Sequence, residues 1–112
     1  MGQDNRRHTR YDALNLLHYQ VPCDDRPTHQ GMGRTLNVSQ SGILLETHAP
    51  VSGGETVMLT IGLADDLVVI QAEAVHCQPT SGGRYNIGLR FNEMDEASRR
   101  TLNRYIELFQ RG

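Results

Sequence analysis

Two polar clusters have the spacing to hold a ligand: Asn37-Val38-Ser39-Gln40-Ser41-Gly42, and the basic group Arg6-Arg7-His8-Thr9-Arg10 upstream of it. Asn37 and Ser39 offer hydrogen-bond donors and acceptors two residues apart. Gly42, just ahead of the apolar run Ile43-Leu44-Leu45, leaves the backbone open to close approach. Guanidinium forks bind phosphate oxygens bidentately, through two parallel hydrogen bonds. The chain contains no lysine, so every positive side chain besides histidine is such a fork. The two clusters together read as one site for an anionic ligand. Each also has a plainer reading: the arginines as solvated charges, and Asn37 to Gly42 as a turn ending a strand.

The elements that must position these residues fit a single domain. A chain of 112 residues with 38% apolar content can bury one core. No segment nears the ~20 apolar residues of a membrane span, so no membrane insertion is expected. The polar, basic start carries no hydrophobic stretch of a secretory leader, and two cysteines make no disulfide framework, which together imply a reduced cytoplasmic setting. A net charge of -2 argues against a general nucleic-acid binder. With 5% aromatics and no tryptophan, the chain also lacks stacking platforms for single strands. Ser39 has neither a nearby histidine nor a nucleophile-elbow context, so no enzyme and no catalytic residue is expected. A zinc site from His76, Cys77, Cys23 and His29 would need coincidences of folding, so no metal or cofactor is assigned.

Periodicity then gives the elements. Residues 1–10 have no apolar period and read as a flexible basic arm preceding a domain over 11–112. Tyr11 to Val21 is an imperfect strand with Ala13, Leu17, Tyr19 and Val21 on one face. Pro22 to Gly33 reads as a loop by composition, Arg34 to Val38 as a short strand, and Ile43 to Thr47 as the next. Val57, Leu59, Ile61 and Leu63 alternate on a fourth strand; Ala64-Asp65-Asp66 reverses the chain. Leu67 to Cys77 returns with Val68, Ile70, Ala72 and Ala74 on one face, and Arg84 to Phe91 turns Ile87, Leu89 and Phe91 inward. Asp95 can cap a final helix whose apolar face is Ala97, Leu102, Ile106 and Phe109. Strands joined by short turns without intervening helices predict a small antiparallel β-barrel with a C-terminal α-helix.

The order Arg6-x-x-x-Arg10, then Asn37-x-Ser39-x-x-Gly42, resembles the RxxxR and (D/N)xSxxG pair of PilZ domains. The likeness runs over nearly the whole chain: Gly54 before the strand Val57 to Leu63, the ending Tyr85-Asn86-Ile87-Gly88-Leu89-Arg90-Phe91, and the helix Arg99 to Phe109 fall where that family has them. Either motif alone is common by chance. Their order and the matching end make the signal specific.

The resemblance implies a six-stranded barrel that binds the bacterial second messenger cyclic di-GMP. It implies that Arg6 and Arg10 grip phosphate and guanine from the arm, and that Asn37, Ser39 and Gly42 form the barrel half of the site. Arg7 either adds charge or points to solvent. Asn37 is a permitted variant that avoids a carboxylate near the phosphates. Asn5 stands where the family's arginine favours an intercalated ligand dimer, which leans towards one ligand per domain, an inference that Arg7 blurs. With no output domain visible, the expectation is a receptor that orders its arm over the ligand and signals to a separate effector protein, in motility, polysaccharide or regulatory machinery. The alternative is a PilZ-like adaptor that binds proteins and no nucleotide.

Overall fold

The structure, a computed structural model, describes residues 16–22, 29–63 and 66–111. The expected arm over 1–10, the first part of the first strand with Ala13, Cys23, and the Ala64-Asp65 reversal lie outside the described residues. The described residues form strands β1 (Leu16–Val21), β2 (His29–Val38), β3 (Gly42–Thr47), β4 (Thr56–Leu63), β5 (Asp66–Pro79) and β6 (Tyr85–Phe91), followed by helix α1 (Glu96–Arg111). Every strand pairing is antiparallel, and the order β1-β2-β3-β6-β5-β4 closes into a barrel. Closure runs through β1 against β4, with His18, Tyr19 and Gln20 opposite Thr60, Leu59 and Met58. Closing the sheet removes the edges that an open one would leave to pair with other chains.

The period-two pattern sorts the side chains as expected. Leu17, Tyr19 and Val21 on β1, Val57, Leu59 and Ile61 on β4, and Ile70, Ala72 and Ala74 on β5 are all buried. Ile87 and Leu89 join them from β6, with Phe91 half-buried. Each fully buried aliphatic side chain contributes on the order of 1.5–3 kcal/mol, so this interior is the main source of stability. Cys77 is half-buried at the edge of the same cluster.

Two expectations change. β2 begins at His29, not Arg34: the glycine-bearing stretch His29-Gln30-Gly31-Met32-Gly33 pairs residue for residue with Val21 back to Leu17. The glycines suit a strand here because neighbours occupy the space a side chain would take: the Tyr19 ring lies over Gly31, and Leu45 and Thr47 lie over Gly33. The buried face of α1 is also rotated. Thr101, Leu102, Tyr105 and Ile106 are buried, Ala97 is exposed, and Phe109 is half-buried beside the Tyr105 ring.

Helix α1 starts where Asp95 accepts the Ser98 N–H through Oδ1 at 2.8 Å, a bond that holds the Asp95 carboxyl below the usual carboxylate range. The helix packs on β4 and β5 and reaches β2 through a buried hydrogen bond, Tyr105 Oη to Thr35 Oγ1 at 2.8 Å. Burial pushes the Tyr105 phenol up to about 12, against the opposing effect of Thr35, and raises Tyr19 by the same cause. Unfolded tyrosine ionises near 10. The stabilisation is therefore complete below pH ~10 and lost as pH rises through the folded value. Denaturant titrations at pH 9 and pH 11.5 should show lower stability at the higher pH, and Tyr105→Phe should shrink that difference. The same substitution should cost about 1 kcal/mol at neutral pH through loss of the buried hydrogen bond to Thr35.

Candidate ligand-binding site

The turn from β2 into β3 is held by its own polar residues. Ser39 N–H donates to the Gly42 carbonyl at 2.9 Å, and Ser41 N–H donates to Ser39 Oγ at 3.3 Å. The two serine hydroxyls are 3.2 Å apart. The turn is also fastened from outside. Phe91 N–H, at the end of β6, donates to the Ser41 carbonyl at 2.9 Å, and Arg99 Nη1 on α1 donates to the Gln40 carbonyl at 2.9 Å. The turn reading of this segment is thus correct as geometry, and Arg99 joins the segment to the helix, a contact with no signal in the sequence pattern.

Asn37 owes its placement to a β-bulge. The β2–β3 register shifts between Thr35 and Asn37, so that Asn37 and Val38 face Leu44 and Ile43. Asn37 is exposed on the outer face while Val38 points into the core. Its Oδ1 accepts the Val38 N–H at 2.9 Å, so the amide NH2 is the part of the side chain left to donate.

Gly42 pairs with Arg90 across β3–β6. A Cβ at Gly42 would collide with the backbone carbonyl oxygen of Leu89 and stand 3.4 Å from its carbon. The close approach that the glycine permits is therefore first that of the chain's own sixth strand.

A second bulge completes the surface. The β5–β6 register shifts between Ala74 and His76, so two consecutive residues, Val75 and His76, are both exposed. Asn37, Ser39 and Gly42 line one open groove of about 380 Å³ on the outside of the barrel, floored by Leu44 and Gly88 and walled by Val75 and His76. Among the described residues, no arginine lines the groove. Arg90, the nearest in register, is paired with Glu73 at 2.7 Å, an exposed pair worth little on its own.

The structure thus brings Asn37, Ser39 and Gly42 together, while Arg6, Arg7 and Arg10 lie outside the described residues. Leu44, Val75, His76 and Gly88 are the lining residues the sequence reading missed. The interior glycine of Ile87-Gly88-Leu89 was the available signal, since a strand glycine often marks close approach. A larger depression of about 790 Å³ lies between α1 and the start of β5, where Asp66 and Glu107 offset Arg100 and Arg104, and its described lining residues do not include Asn37, Ser39 or Gly42. Among the described residues, no group of three or more His, Cys, Asp or Glu side chains is placed to hold a metal, and no helix is long and apolar enough to cross a membrane.

Comparison with solved structures finds the same fold. The PilZ domain of CeSA from a cellulose-synthesizing bacterium superposes with a TM-score of 0.58 at 15% identity, over 85% of this chain and 93% of that one. The Bacillus subtilis inhibitor of motility MotI/DgrA gives 0.61 at 19%, over 85% of this chain and 47% of that one. A tetrameric PilZ domain protein from Xanthomonas campestris gives 0.53 at 20%, over 79% and 49%. The chain spans about half the length of the latter two. No curated protein sequence matches. The family model for the PilZ domain matches residues 4–108, which takes in both arginine positions, the whole barrel and most of the helix. The chain belongs to the PilZ domain family.

Proposed function

We propose that the protein is a receptor for cyclic di-GMP. The observation that carries this reading is the groove itself: the three motif positions Asn37, Ser39 and Gly42 open onto one surface, and no described residue lining it is an arginine. A ligand with two phosphodiester charges needs cations there, and Arg6 and Arg10, with Arg7 beside them, are the forks that the chain offers upstream. In this reading the arm over residues 1–10 folds across the ligand onto the barrel. The surface made of arm, ligand and barrel is then read by a separate effector protein of motility, polysaccharide or regulatory machinery in the bacterial cytoplasm. Binding and recognition are the whole of its chemistry, with no catalytic step. A ligand that brings a segment onto its domain in this way is a common switching device.

Titration calorimetry with cyclic di-GMP tests the reading directly, because it gives affinity and stoichiometry together. Binding at micromolar affinity or tighter is expected, with one ligand per domain. A folded protein that releases no heat with cyclic di-GMP sinks the proposal and favours the nucleotide-free adaptor.

A further inference from the structure

His76 belongs to no motif, yet the fold places it opposite the motif side of the groove. Residues in register run across four strands on the outer face: Asn37 pairs with Leu44, Leu44 with Gly88, and Gly88 with His76. Gly88 faces outward but is buried, because the His76 imidazole lies on it. The ring atoms Nδ1 and Nε2 stand 2.6 and 2.9 Å from where a Cβ at Gly88 would be, with Cε1 nearer still. The glycine's missing side chain is therefore the seat of the ring. Among the described residues the imidazole makes no hydrogen bond, and it remains exposed beside Val75.

We infer that His76, seated on Gly88, is a stacking platform that selects for a planar base in the ligand, an inference that rests on the cyclic di-GMP reading. A flat ring system entering the groove meets polar edges from Asn37 and Ser39 on one side, and the imidazole with Leu44 and Val75 on the other. Such a pairing of an edge reader with an apolar, π-bearing surface suits a purine and is wasted on a bare phosphate. The β5 bulge is what brings the ring there, since uninterrupted alternation would turn Val75 and His76 to opposite faces.

Calorimetry on four proteins tests this. Against the wild type, His76→Ala should weaken cyclic di-GMP binding roughly tenfold, towards the low end of base–aromatic stacking. His76→Phe should stay within about threefold, because it keeps a ring without ring nitrogens. Gly88→Ala should unseat the imidazole without removing it, and so match His76→Ala while the barrel stays folded by circular dichroism. Its added methyl meets only the end of a movable side chain. Wild-type affinity in His76→Ala overturns the inference and leaves the receptor reading standing. Equal loss in His76→Phe and His76→Ala overturns stacking in favour of a ring nitrogen as the contact. A wild type that does not bind cyclic di-GMP removes the receptor reading and this inference with it.

Discussion

Gly42→Ala is expected to lower the stability of the unliganded barrel by about 1–3 kcal/mol, the usual range for forcing an added methyl into filled space. For a domain near this size that is a fall in Tm of roughly 4–8 °C per kcal/mol. Two effects compete. Replacing glycine restricts the unfolded chain, which by itself stabilises by about 0.4–1 kcal/mol where the backbone conformation is compatible. Gly42 does not adopt the left-handed backbone that excludes alanine, so this gain is available. Against it stands the collision with the Leu89 carbonyl oxygen, which is main chain within a paired strand and cannot rotate aside as a side-chain tip would. Relief requires β3 to move away from β6 at the mouth of the groove, so the clash should prevail. Gly53→Ala is the control. Gly53 has nothing within 4 Å and no left-handed backbone, so alanine there should be neutral or slightly stabilising. Equal melting temperatures for the Gly42 and Gly53 variants would show that β6 yields freely. Cyclic di-GMP affinity should fall in Gly42→Ala even after correction for stability, because the seam that must open runs between Leu44 on β3 and Gly88 on β6, the floor of the groove.

How legible the molecule was in its sequence depended on whether a feature repeats. β4 and β6 could be read because Val57-Leu59-Ile61 and Ile87-Leu89 keep strict alternation, and burial follows the alternation. The start of β2 could not, because Gly31 and Gly33 read as turn residues until Tyr19, Leu45 and Thr47 are seen to cover them from other strands. The helix face was displaced by Tyr105. A tyrosine is ambiguous alone, and the buried hydroxyl of this one bonds Thr35, seventy residues away. The candidate site divides along the same line. Asn37, Ser39 and Gly42 were visible because they fall within one turn, whereas His76 and Gly88 meet them only through two bulges. A bulge adds one residue to a strand and leaves little trace in composition, but it changes which face every later side chain takes.

Arg10→Ala should reduce cyclic di-GMP affinity by at least about 100-fold and leave the melting of the unliganded protein unchanged. The size follows from what a receptor of this design must offset. Ordering an arm costs on the order of 1–2 kcal/mol per residue fixed, and a hydrogen bond to a charged group returns about 1.5–3 kcal/mol. Even a short ordered segment therefore needs several charge-assisted bonds before binding is favourable at all. The described lining residues of the groove supply no guanidinium, and in this reading the charged partners come from Arg6, Arg7 and Arg10. Deleting one motif arginine removes its own bonds and leaves the ordering cost of its neighbours under-compensated, so the loss exceeds that of a single contact. Arg10→Lys separates charge from shape. It keeps the positive charge and loses the bidentate fork, so it should recover only a small part of the affinity. Raising the salt concentration should weaken the wild type more than Arg10→Ala, since screening acts on charges that the variant no longer has. If Arg10→Ala binds within about threefold of the wild type, the groove holds the ligand unaided. The arm would then be the solvated terminus of the plainer reading, and recognition would rest on Asn37, Ser39 and the ring of His76 alone.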